Sequence, residues 1–365
     1  MAARALLPVA VLLLGAFAGC LEEAQIKDAA EDVVSGPEAQ LLALLGSVAE
    51  PQFDSMKAVG WWEKFVKDND MRQFPLPKNH MAAMAIESEL MSAGFQARTI
   101  YNFGGAGPVP AQSQSAAPAG FRVVQGIKEG TGAKDHRLVL ISHFDTVPTT
   151  PQGAYDDASG VAAQMEICKL LAKAKTNKTI ECVFFDNEEN GLLASQAYTN
   201  WYASTKPQWV WDQAFGYDMT GLNWPGYSKW KLFSMIGKPS AEPEPFLESH
   251  NVFLDILAYN FLGAKLNVTT DGVEILKVHD RNSDEQNFKR VGIPVIRFAG
   301  GRKAADYPQY HKQEDTVEFV YRFACECQDL AKGKESFAKG FEMVVLMSYY
   351  TILAYDQYNP KALPF

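Results

Sequence analysis

The chain has little cysteine, little histidine and no excess of positive charge. Its 365 residues include 5 cysteines and 6 histidines. No two cysteines stand in C-x-x-C spacing, which argues against a zinc knuckle or a dithiol redox motif. Lys and Arg number 34 against 43 Asp and Glu, a formal net charge of -9. Nucleic-acid binding needs a basic footprint, so this balance argues against it. The apolar run near the N-terminus, Ala5 to Phe17, is too short to span a bilayer comfortably. No internal repeat divides the chain.

What is present is an ordinary globular composition, 47% hydrophobic and 21% charged, on a chain long enough to bury a substantial core. The first residues stand apart. Arg4 is positive, Ala5 to Phe17 is apolar, and Ala18-Gly19-Cys20 follows. That order reads as an export signal. Small residues directly before a cysteine resemble a lipoprotein signal, although Phe17 stands where such signals prefer an aliphatic residue. The resemblance implies a signal peptide over residues 1–19 and a lipid on Cys20, anchoring the protein to a membrane it does not span. Residues 20–37, acidic and Ala-rich, read as a tether, and 38–365 as a single domain. The expected location is the cell surface after export, with soluble secretion as the alternative. Export permits disulfides. Cys168, Cys182, Cys325 and Cys327 allow three pairings, and the apolar surroundings of Cys168 and Cys182 predict buried free thiols.

Helical apolar spacing begins near Leu41, and Trp61, Trp62 and Phe65 predict a packed helix. His80 to Ala93 is helical in composition, with Gly94 as its stop. Phe95 to Tyr101 reads as a strand, and Phe103 to Gly120, rich in Gly, Pro, Ser and Ala, as a loop. Strand and helix then alternate. Arg137 to Ser142, Thr179 to Asp186, Gln213 to Met219 and Ile293 to Ala299 predict buried strands. Ser159 to Lys173, Gly191 to Thr205, Glu248 to Leu262 and Ala338 to Tyr355 predict helices. Leu222 to Pro245 reads as a long loop, with Trp224, Trp230 and Phe233 either walling a pocket or packing on the domain. The alternation implies an α/β fold of three layers, α/β/α, with a central mixed, mostly parallel sheet.

In such sheets ligands bind beyond the carboxyl ends of the strands. The first predicted strand of the alternation ends at His143 and Asp145, the second at Glu188-Glu189, the third at Asp218, and the fourth leads after a loop to Tyr310-His311. Asp156 and Asp157 precede the first helix. All candidate ligands therefore fall at one edge. Histidine nitrogen and carboxylate oxygen suit zinc, and two ions about 3.5–4 Å apart would clamp a water and a substrate oxygen together. Taken alone, Glu188-Glu189 would read as a solvated pair at a helix start; the sequence blocks around the other candidate ligands reverse that.

The blocks HFDTVP (His143 to Pro148), GAYDDASG (Gly153 to Gly160), FDNEENGLLAS (Phe185 to Ser195), YDMTG (Tyr217 to Gly221), SDEQNFKRVGIP (Ser283 to Pro294) and YHKQEDT (Tyr310 to Thr316) occur in one order. Together they resemble the co-catalytic zinc aminopeptidase family, over roughly Pro77 to the C-terminus. The resemblance implies two zinc ions. Asp156 would bridge them, His143 and Asp218 would complete one site, and Glu189 and His311 the other. Glu188 would be the general base and acid, Asp145 would orient His143, and Tyr310 would hydrogen-bond the oxyanion. Asp157 stands where the family usually has Asn and reads as an N-cap. His80, His136, His250 and His279 match no block and are not expected to be ligands.

Ser283-Asp284-Glu285 departs from the Ser-Asp-His common in the family, which puts the substrate pocket in doubt more than the metals. The implied activity is removal of N-terminal residues from peptides. Glutaminyl cyclase, with one zinc on the same fold, is the nearest alternative. It tends to carry Trp where this chain has Tyr310, and to interrupt the segment that here runs into Gly191-Leu192-Leu193. A carboxypeptidase with the same metal pair is another. A non-catalytic receptor on this fold would usually have lost ligands that this chain keeps. Peptides are the expected partners.

Overall fold

Short runs rich in Val, Ile, Leu and Phe become strands that join one sheet. In this computed structural model the described residues are 50–101, 109–110, 121–222, 230–237, 273–277, 283–299 and 307–357. The expected signal, lipidated cysteine and tether, and the helix expected over Glu248 to Leu262, lie outside them. The strands are β1 Gln96–Tyr101, β2 Val109–Pro110, β3 Arg122–Lys128, β4 His136–His143, β5 Thr179–Phe185, β6 Val210–Tyr217, β7 Trp230–Gly237, β8 Val273–Lys277 and β9 Val295–Ala299. Their order is β2-β1-β3-β5-β4-β6-β9-β7-β8. The central neighbours β5, β4, β6 and β9 run parallel, bordered by antiparallel β3 and β7. The sheet is mixed with a parallel centre.

The helices are α1 Ser55–Asp68, α2 Pro77–Ala93, α3 Ala158–Lys173, α4 Leu193–Thr205, α5 Glu285–Arg290, α6 Val317–Cys325 and α7 Leu330–Gln357. They cover both faces of the sheet. Along β4, Leu138 and Leu140 join the core formed with α1, α2, α3 and α7, among them Trp62, Ile86, Met165 and Phe341. Val139 and Ile141 face the other way, into a core formed with Tyr198 of α4 and Phe288 of α5. Burial on both faces is why these strands read as continuous apolar runs rather than alternating ones. Each fully buried Leu or Phe is worth about 1.5–3 kcal/mol. The 28-residue α7 is long and apolar enough to cross a membrane, but 89% of its apolar window is buried in the domain. It is packed here as a core helix.

Several sequence expectations need correction. The segment Leu222 to Pro245, expected as loop, contains β7, which pairs antiparallel with β9 and parallel with β8. Its run WKLFSMIG is rich in aromatic and large apolar residues, and β9 offered it an edge to pair with. Cys168 of α3 and Cys182 of β5 are joined in a disulfide, with Cα atoms 6.7 Å apart. They are not free thiols. α3 lies over β5, so two buried cysteines that looked merely apolar in sequence face each other. Cys325 and Cys327 form a second disulfide at the end of α6.

Candidate metal centre

The parallel strands deliver their C-terminal residues to one edge. His143 ends β4, fully buried, with Nδ1 3.3 Å from Asp145 Oδ1. Its Nε2 lies 3.4 Å from Asp156 Oδ1 and 4.0 Å from Asp218 Oδ1. After β5 the chain turns through Asn187, at φ 59°, and the Glu188 and Glu189 N–H groups donate to Asp145 at 3.1 and 3.3 Å. Asp145 thus orients the histidine and both glutamates. His311 Nε2 lies 3.0 Å from Glu189 Oε2 and 3.5 Å from Asp156 Oδ2. Potential ligand atoms of His143, Asp156 and Asp218 lie within 4.8 Å of one another, and so do those of Asp156, Glu189 and His311. Asp156 belongs to both groups. His143, Glu188 and Glu189 make a further such group.

The loop from β4 to α3 carries Asp156, and buried polar groups fix it. Arg72, fully buried, donates to the carbonyls of Phe144 at 2.8 Å, Gln152 at 2.6 Å and Gly153 at 2.9 Å. Gly153 has φ 49°, and a Cβ there would stand 2.4 Å from the Asp156 carbonyl, so only glycine suits the approach. Asp315 accepts the N–H groups of Tyr155 and Asp156 and the Tyr307 hydroxyl. Asp157 is the N-cap of α3, accepting Gly160 N–H at 3.0 Å, and it also accepts Met219 N–H at 2.9 Å beyond β6. Any Cβ on Gly160 would fall 2.4 Å from that cap carboxylate.

Burial, with the charge of Asp156 beside it, raises the Glu189 carboxyl to about 7. Burial also lifts Glu188 well above the usual carboxylate range, reinforced by Asp284, Asp218 and Glu189 and opposed by His143. His311 is raised to about 10, because Asp156 and Glu189 outweigh the desolvation that would lower it. Burial opposes ionisation of Asp156, yet His143 and His311 hold it well below its ordinary value. Such a cluster favours a cation among the carboxylates. His311 Nε2 is buried and makes no in-line hydrogen bond despite its two close carboxylates. A ring nitrogen so placed, with imidazole and carboxylate donors only, fits zinc.

Every predicted site residue thus lies in or against this cluster. Tyr310 is partly buried and stacks on the His311 ring, with centroids 3.8 Å apart. His80 and His136 are exposed and belong to none of the ligand groups among the described residues; His250 and His279 lie outside those residues. Glu285 is buried and bonded to Arg297. Sequence reasoning missed Arg72, Arg297 and Asp315. Asp315 sits inside the block YHKQEDT, which was its available signal; the arginines had none, since nothing local distinguishes a buried Arg from a surface one.

The sequence model described as Peptidase family M28 matches residues 122–331, more than half of the chain. Aminopeptidase YwaD of Bacillus subtilis is 27% identical over 198 residues, which cover 53% of this chain and 39% of that protein. The chain therefore spans about two fifths of that curated relative's length. Among solved structures, LapB from Legionella pneumophila superposes with a TM-score of 0.59 at 16% identity, covering 88% of this chain and 76% of that one. Fimbriiglobus ruber glutaminyl cyclase gives 0.54 at 18% identity, covering 84% and 99%. At these identities the two superpositions speak for the fold.

Proposed function

The chain belongs to peptidase family M28, and on that premise we propose that it is a two-zinc aminopeptidase with Glu188 as general base. The observation that carries this reading is the pair of ligand groups sharing Asp156, with Glu188 beside them. His143, Asp156 and Asp218 would hold one ion, and Asp156, Glu189 and His311 the other. Zinc bound there supplies a Lewis acid for the scissile carbonyl and lowers the pKa of the attacking water. Glu188, more basic than a surface glutamate because of desolvation and its neighbouring carboxylates, would take the proton from that water and pass it to the leaving amine. Asp145 keeps His143 and the Glu188 backbone in register for this transfer. Tyr310, beside His311, would donate to the developing oxyanion.

Charge favours an aminopeptidase over a carboxypeptidase. A terminal carboxylate needs a cationic receptor, and among the described residues the arginines near these carboxylates are engaged. Arg72 binds backbone carbonyls and Arg297 binds Asp218 and Glu285. An α-ammonium group suits the acidic surroundings. Cleavage of a peptide library by the zinc-loaded protein, read by mass spectrometry, should yield products shortened stepwise from the N-terminus. Products shortened only from the C-terminus would overturn the assignment, and pyroglutamate released from glutaminyl peptides would replace it with the cyclase. For location, the sequence around Cys20 supports export and lipidation. Labelled fatty acid should enter the wild-type chain and not Cys20→Ser; equal labelling would refute the anchor.

A further inference from the structure

Arg297 lies within β9, opposite Gly216 of the neighbouring β6, and is only 3% exposed. Its Nη2 donates to Asp218 Oδ2 at 3.0 Å, and its Nη1 to Glu285 Oε1 at 3.3 Å. Asp218 Oδ1 is the oxygen turned toward His143 Nε2, 4.0 Å away. One oxygen of this carboxylate is therefore held by a guanidinium, and the other is presented to the ligand cluster. Atoms of Glu285 and Arg297 stand 3.6–3.7 Å from where a Cβ on Gly216 would be, so the pair packs directly over β6 at this position.

We propose that the buried Glu285–Arg297 pair is a positioning unit for Asp218. It fixes which oxygen faces the metal and so sets the zinc affinity of the His143–Asp156–Asp218 group. The proposal rests on the two-zinc reading above. Two effects combine. The guanidinium restrains rotation of the Asp218 carboxylate, which presents a single oxygen. Its positive charge would by itself weaken that carboxylate as a ligand, and Glu285 offsets the charge from the far side of the guanidinium. The departure from Ser-Asp-His thus acquires a physical role in this chain. A histidine at 285 would not bring the carboxylate oxygen that Arg297 meets here. Partners that orient a metal ligand in this way change metal affinity about 10–100-fold when removed.

The test is a chelator competition that reports zinc stoichiometry and affinity for the full chain, with thermal melts of the zinc-free protein alongside. Arg297→Met should keep one ion at native affinity and weaken the other about 10–100-fold. Arg297→Lys, which retains one donor for Asp218, should recover part of that loss. Glu285→Gln should weaken the same ion by less. The double variant should bind no more weakly than Arg297→Met, because Glu285 acts through Arg297. A folded Arg297→Met that binds both ions at native affinity overturns the proposal. So does a loss that strikes both ions alike, tracks the fall in melting temperature and disappears in the double variant, since that is plain structural damage. If Arg297→Met does not fold, the selective loss in Arg297→Lys and Glu285→Gln decides. Asp218→Asn separates the two readings. If it weakens zinc binding while the pair's variants do not, only the pair is refuted; if it too leaves binding unchanged, the metal reading falls with it.

Discussion

Glu188 is partly buried beside two ligand groups and is held through its backbone by Asp145, so its effect should be on proton transfer rather than on the fold. Glu188→Gln should lower kcat on an aminoacyl anilide by about 10²–10⁴-fold, the usual range for a positioned acid–base group, while zinc content measured by elemental analysis stays native. Retained turnover would remove Glu188 from the mechanism. Asp157 is the contrasting case. It caps α3 and accepts Met219 N–H, but burial and the charges of Asp218 and Asp156 raise its carboxyl well above the ordinary value. Asn keeps an acceptor for the cap and removes the buried charge. Asp157→Asn should therefore melt at or above the wild-type temperature, whereas Asp157→Ala should lose about 1–2 kcal/mol with its cap. A large loss in the Asn variant would mean that the charge itself is needed. Residues of this kind were legible because chemistry and position coincide at strand ends. Arg72 and Arg297 were not, because their partners are backbone carbonyls and side chains distant in the chain.

At the scale of elements, legibility followed the strength of the local signal. β4, β5, β6 and β9 were expected from apolar runs, and the structure shifts their ends by only a few residues. α5 has six residues, too few for a helical period to register. α7 begins at Leu330 rather than Ala338 because its first turns, LAKGKES, are polar and largely exposed. No local rule can choose a disulfide pairing, and the Cys168–Cys182 bridge depends on α3 lying across β5. Its sequence separation is 14, for which loop-closure entropy gives about 3 kcal/mol. Replacing both cysteines with Ala should shift the denaturation midpoint by an amount of that order. Reducing Cys325–Cys327, separated by only 2 residues, should shift it far less. Equal midpoints for the wild type and the Cys168→Ala/Cys182→Ala variant would show that the bridge contributes nothing to stability.

For the whole molecule, the acidic site couples stability to pH and to metal in opposite senses. Burial raises Asp186, Glu189, Asp284 and Asp315 each to about 7, above the unfolded value of about 4. A carboxyl whose folded pKa is raised stabilises the fold fully only below its unfolded pKa, and that contribution is lost as pH rises through about 7. His311, at about 10, acts in the same direction: its contribution is complete below about 6.5 and is lost as pH rises through 10. Asp156 is depressed, so its contribution is lost only below about pH 4, outside this window. The chelated protein should therefore become steadily less stable from about pH 5 to pH 8. Zinc requires its ligands Glu189 and His311 unprotonated, so its stabilisation must grow over the same interval. The gap in melting temperature between zinc-loaded and chelator-treated protein should be small at pH 5 and large at pH 8. A gap of equal size at both would mean that Glu189 and His311 are not groups that meet the metal, and the site would have to be sought elsewhere on the sheet edge.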